Sequence, residues 1–143
     1  MSGKTNKMRV LVDTNVLFSA VISRGALPFR VMLDAIQADH QLLICTYSIN
    51  EISRVLQRKR PEALTEWDGL LSRLHFELIH TPNPCEIDFY IPPIRDEGDK
   101  PILASAIKGK ADIIITGDKD FHSDEIREYI AVYTPSDFIR DFC

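Results

Sequence analysis

Ala111-Asp-Ile-Ile-Ile-Thr116 decides the fold class. Apolar but for Asp112 and the closing Thr116, it is short enough to be a strand and apolar enough to be buried on both faces. Ahead of it, residues 100–108 predict a helix with Pro101 in its first turn. Beyond it, Ile130-Ala-Val-Tyr133 predicts a last strand, followed by Pro135 and a closing amphipathic helix. Further toward the N-terminus the same alternation repeats. Met8-Arg-Val-Leu-Val12 reads as a first strand, with a short helix over Asn15 to Ile22 directly after it. Pro28 suits a helix start, and Phe29, Met32, Leu33 and Ile36 keep the i, i+3, i+4, i+7 spacing of a buried helix face. Leu42-Leu-Ile-Cys45 is a second strand. Thr46 or Ser48 then caps a helix whose stripe is Ile49, Ile52 and Leu56. Pro61 opens another helix to about Leu74, and Phe76-Glu-Leu-Ile79 is a third strand. The proline-rich stretch from Thr81 to Arg95 reads as mostly loop. Strands alternating with helices predict an α/β fold, a three-layer α/β/α sandwich around a central, mainly parallel sheet.

The 143 residues suit one domain, with 45% hydrophobic and 27% charged residues. Met1–Lys7 is polar and reads as a flexible arm or tag ahead of a domain over residues 8–143, with no signal peptide. No run approaches the ~20 apolar residues of a membrane helix, so no membrane association is expected. Cys45, Cys85 and Cys143 are odd in number and lack C-x-x-C spacing, which argues against a disulfide framework or zinc site and for a reducing cytoplasm. The formal net charge is -4. A nucleic-acid binder working by charge alone is usually basic, so an acidic one needs another way to manage phosphates.

In open parallel sheets, sites form outside the carboxyl ends of the strands. Asp13 follows the first strand and Asp118 the Ile-Ile-Ile strand. Glu51 falls in the first turn after strand two, and Asp96 and Asp99 at the start of the helix before the Ile-Ile-Ile strand. Any one of these acids could simply cap a helix. Five on one edge repel each other unless a cation lies between them, and an all-oxygen set suits Mg²⁺ or Mn²⁺ rather than zinc. Tyr47, Arg54 and Arg58 share a helix face with Glu51. Arg54 and Arg58 either hold RNA phosphates or form a solvated face with a Glu51–Arg54 ion pair. His40, His75, His80 and His122 have no ligand spacing and read as surface or structural residues. Trp67, Leu70, Leu71 and Leu74 keep helical spacing, which means core packing or, more sharply, a subunit surface.

Val-Leu-Val-Asp13-Thr14-Asn15 resembles the opening motif of PIN-domain ribonucleases, and Ser48-Ile-Asn-Glu51 the second. Asp96-Glu-Gly-Asp99 leading into a small-residue helix resembles the third, and Thr116-Gly-Asp118-Lys-Asp120-Phe121 the fourth. Val-Tyr-Thr-Pro135-Ser-Asp-Phe138 is similar to the family's closing strand and helix. The resemblance runs from about Met8 to Phe142 and is closest to small bacterial toxins of toxin–antitoxin pairs. It implies a Mg²⁺- or Mn²⁺-dependent endoribonuclease, with an RNA substrate, an antitoxin partner and a homodimeric state. Carried over by position, Asp13, Glu51, Asp99 and Asp118 are the catalytic, metal-binding acids. Thr14, Asn15 and Thr116 orient carboxylates, and Asp96 and Asp120 are helpers. The alternative is a PIN-like module that binds RNA or protein without cutting. Other folds fit poorly. Haloacid-dehalogenase-type phosphatases need an Asp where Asn15 stands, receiver domains need paired acids after strand one, and no glycine-rich nucleotide motif occurs.

Overall fold

A computed structural model describes residues 7–22, 25–91 and 97–142, so the expected N-terminal arm, Asp96 and Cys143 lie wholly or mostly outside the described residues. Five strands form one sheet: β1 (Arg9–Val12), β2 (Gln41–Cys45), β3 (Phe76–Ile79), β4 (Ile113–Ile115) and β5 (Ala131–Tyr133). Their order is β3-β2-β1-β4-β5, and every pairing is parallel. The chain builds outward from β1 to β3 on one side, then returns across the sheet to lay β4 on the other side of β1.

Each inner strand is apolar on both faces because helices cover both. Val10, Val12, Leu42, Ile44, Ile113 and Ile115 point into one apolar cluster. That cluster is closed by α1 (Thr14–Ile22), α2 (Ala26–Asp39), α3 (Thr46–Lys59), α4 (Leu64–Arg73) and Phe138 of α8 (Pro135–Phe142). The alternate residues Leu11, Leu43, Cys45 and Ile114 point into the other. Its cover comes from α5 (Ile87–Tyr90), α6 (Lys100–Lys108), and Ile126 of α7 (Asp124–Arg127). Alternation of side chains along a strand therefore sorts one apolar run into two cores. The expected three layers follow.

Several local expectations change. Neither Thr46 nor Ser48 caps α3: Cys45 holds the N-cap position without a side-chain bond. Instead Thr81, beyond β3, accepts from the Tyr47 N–H at 3.1 Å, while its own N–H donates to Thr46 Oγ1 at 3.0 Å. A cap supplied from a distant segment leaves no local signature. The 81–95 stretch contains a helical turn, α5, anchored by the buried Ile87 and by Ile91 just after it. Pro61 starts a 3-10 turn over Pro61–Ala63 rather than the helix itself, which begins at Leu64. Trp67, Leu70 and Leu74 are buried in the core, leaving only Leu71 partly exposed, so that stripe is not a subunit surface. Trp67 places its indole N–H on Ser53 Oγ at 3.1 Å, as a buried indole should. Among the described residues no helix is long and apolar enough to cross a membrane.

Candidate carboxylate site

The sheet order reverses between β1 and β4, and there the loops at the two strand ends part to leave a crevice. A cleft of about 180 Å³ opens at that point. Asp13, Glu51, Asp99 and Asp118 all line it, together with Thr14 and Asn15. Tyr47, Ile102 and Phe121 form its walls.

Asp13 stands between β1 and α1 and is 5% exposed. Its backbone N–H donates to Ile115 O at 2.9 Å, which extends the β1–β4 ladder by one step. A helix cap accepts from the second or third N–H of the helix. Here Oδ1 accepts from the first, Thr14 N, at 2.7 Å, and Oδ2 accepts from the Thr116 hydroxyl at 2.7 Å. Burial pushes the Asp13 carboxyl above its ordinary value, and the charge of Asp118 adds to that. The Thr116 and Thr14 hydrogen bonds pull the other way. The protein thus aims this carboxylate and tolerates its discomfort.

Thr116 is fully buried just past β4. While donating to Asp13, its hydroxyl accepts from the Asp118 N–H at 3.0 Å, so one side chain sets two acids. Half-buried Asp118 caps the 3-10 turn Lys119–His122, Oδ1 accepting from Asp120 N at 2.9 Å. Capping and cleft lining are both true of it. Asp99 holds the N-cap position of α6 but makes no capping bond, and is 5% exposed against the cleft. Capping therefore does not account for its burial.

Glu51 sits in the second turn of α3 rather than the first, because the helix begins at Thr46. Its Oε1 accepts from Arg54 at 2.8 Å, the ion pair that the bland interpretation of this face expects. Arg58 is exposed one turn further on and does not line the cleft. Thr14 orients Asp13 through its backbone, while its hydroxyl pairs with that of buried Ser48 at 2.7 Å and ties α1 to α3. Asn15 lines the cleft, and among the described residues it makes no hydrogen bond to an acid. Asp120 is exposed and outside the cleft lining. Tyr47, half-buried on the same cleft lining as Glu51 and Asp13, has its phenol raised first by burial and then by the charges of those two acids. Ile102 and Phe121 were not singled out as cleft residues from sequence. Their positions, three residues after Asp99 and Asp118, are the only hint.

Among the described residues, no three acidic, His or Cys side chains are drawn together as a ready-made ion site. The donor chemistry nevertheless fits a hard divalent cation: four carboxylates on one cleft, two of them buried, and no His or Cys on its lining.

The PIN-domain family model matches residues 9–120. An uncharacterised protein of Methanocaldococcus jannaschii is 33% identical over 150 residues, covering 95% of this chain and 92% of its own length. The fold is similar to that in the crystal structure of VapBC2 from Rickettsia felis bound to a DNA fragment from their promoter. The TM-score is 0.68 at 18% identity, over 89% of this chain and 98% of that one.

Proposed function

The chain belongs to the PIN-domain family, and from that premise we propose that it is a Mg²⁺- or Mn²⁺-dependent endoribonuclease cutting single-stranded RNA, the toxin of a toxin–antitoxin pair. The observation that carries this proposal is the convergence of Asp13, Glu51, Asp99 and Asp118 on one cleft at the switch between β1 and β4. These four acids are the metal ligands of the proposal. A divalent cation, when bound, activates the attacking water and neutralises charge on the leaving oxygen.

The chain's own residues supply orientation and enclosure. Asp13 is preset by Thr14 N and the Thr116 hydroxyl, so no reorganisation is needed when charge develops. Tyr47, Ile102 and Phe121 wall the cleft and limit water around the reacting phosphate. Arg54, exposed beside Glu51, is within reach of an RNA phosphate, and Arg58 extends the same face along the strand. An acidic protein thereby meets an acidic substrate through cations rather than net charge. A solved structure of similar fold is a VapBC2 complex, which supports an antitoxin partner for this chain. We further take the chain to work as a homodimer in the cytoplasm.

The test is cleavage of single-stranded RNA by purified protein with Mg²⁺ or Mn²⁺. Cutting that stops in EDTA, and is lost in Asp13→Asn, is the expected result. Cleavage that persists in chelator would overturn the metal mechanism, and no cleavage with either ion would favour binding without cutting.

A further inference from the structure

His122 lies outside the cleft, on the 3-10 turn that follows Asp118. Its Nδ1 is 3.1 Å from Arg127 Nη2. A guanidinium only donates, so Nδ1 accepts and the ring proton of the neutral imidazole resides on Nε2. That Nε2–H faces the Thr116 carbonyl at 3.0 Å and donates to it. Every hydrogen-bonding group of Thr116 is then engaged. Its N–H goes to Tyr133 O at 2.9 Å, its hydroxyl to Asp13 and from Asp118, and its carbonyl to His122.

The sheet ladder stops at Thr116. Among the described residues its backbone is tied on the β5 side by its N–H donating to Tyr133 O, and the peptide after it leads into Gly117, where a side chain would meet nothing within 4 Å. The Asp118 N–H bond to Thr116 Oγ1 spans that peptide but leaves its carbonyl without a partner. His122 supplies one, tying the carbonyl back to the 3-10 turn.

We propose that His122 is a positioning residue for the carboxylate site: its Nε2–H tautomer, set by Arg127, clamps the Thr116 carbonyl and so holds Asp13 and Asp118 in register. This rests on the nuclease reading above. Groups that orient metal-binding side chains are typically worth about 10- to 100-fold in metal affinity or activity.

The experiment measures Mn²⁺ affinity by calorimetry, and kcat and KM on single-stranded RNA, for wild type, His122→Leu, His122→Gln and Arg127→Met. In His122→Gln the side-chain amide nitrogen stands where Nε2 does and keeps the donor. His122→Leu should bind Mn²⁺ about tenfold more weakly and lose kcat by about as much, with KM within about twofold. His122→Gln should recover most of both, and Arg127→Met should fall between. Should the Leu variant not fold, the Gln and Met variants carry the test, since Arg127 is exposed. A purely structural role would lower melting temperatures and leave the Mn²⁺ affinity of folded protein unchanged. Wild-type affinity in folded His122→Leu would overturn the clamp alone, as would a folded Gln variant that binds as weakly as Leu. Wild type that neither binds Mn²⁺ nor cuts RNA would overturn the nuclease reading and the clamp with it.

Discussion

Replacing Asp13 by Asn should make the metal-free protein more stable, not less. The carboxylate is 5% exposed and meets the charge of Asp118. Burying a charge costs several kcal/mol even after relaxation. Against this stand two charge-assisted hydrogen bonds, from Thr14 N and Thr116 Oγ1, each at 2.7 Å. Making them neutral gives up about 1 kcal/mol each. Asn keeps the shape and the bond from Thr14 N, and its amide can donate to the Thr116 oxygen in place of accepting from that hydroxyl, which must then turn its proton elsewhere. The balance is a gain of about 1–2 kcal/mol, the usual size of relief at a strained functional residue. For a chain of this length that raises the melting temperature by about 3–6 °C. The assay is thermal melting of both proteins in EDTA and again with Mn²⁺. Mass action should stabilise the wild type with Mn²⁺, by about 2.7 kcal/mol at one hundred times Kd, and Asp13→Asn far less. The pH dependence carries its own sign. Asp13 has its folded pKa raised above the ordinary 3.8, so between those values the folded state holds a proton that the unfolded chain has released. Wild-type stability therefore rises as pH falls through the raised value, and the gap to Asp13→Asn should close toward pH 4. A lower melting temperature for Asp13→Asn in EDTA at pH 7 would refute the reasoning, because the carboxylate would then be a net stabilising group.

Thr116→Val keeps the volume but strips the bond to Asp13 and the acceptor for Asp118 N. It should cost about 2–3 kcal/mol in chemical denaturation and push the Asp13 carboxyl higher still. Arg54→Gln should weaken RNA binding and reduce the salt slope of log Kd by about 0.7, the share of one phosphate contact on a single strand. An unchanged slope would place Arg54 outside the RNA path. Glu77, held below its ordinary 4.5 by the Arg9 guanidinium at 2.8 Å, contributes stability above that value and loses it as pH falls through its depressed pKa. Because the pair is partly exposed, Glu77→Gln should cost less than about 1 kcal/mol at pH 7, and the difference should vanish in acid melts.

The amino-acid sequence by itself determined the layers and the edge on which the acids stand. Short apolar runs such as Val10–Val12, Leu42–Cys45 and Ile113–Ile115 can satisfy their backbone only in a sheet, and they need cover on both faces. The residue that ends such a run, Asp13, or follows two places on, Asp118, must then emerge at its carboxyl end. Everything in that inference is local. What only the tertiary structure decided is who meets whom. The order β3-β2-β1-β4-β5 sets Thr116 against Asp13 across 103 residues of chain. No spacing rule reaches that far. Asp99 looks like a helix cap in the sequence, yet it is buried without a capping bond at the head of α6, whose apolar residues share a cluster with Leu11 of β1 and Ile114 of β4. The caps that Thr81 lends to α3 and His122 lends to the Thr116 turn are likewise set by where separate segments come to rest. Hydrophobic periodicity is written residue by residue, so it can be read there. A hydrogen bond between distant segments is chosen by the packing of the whole sheet, and it becomes legible only when the sheet has formed.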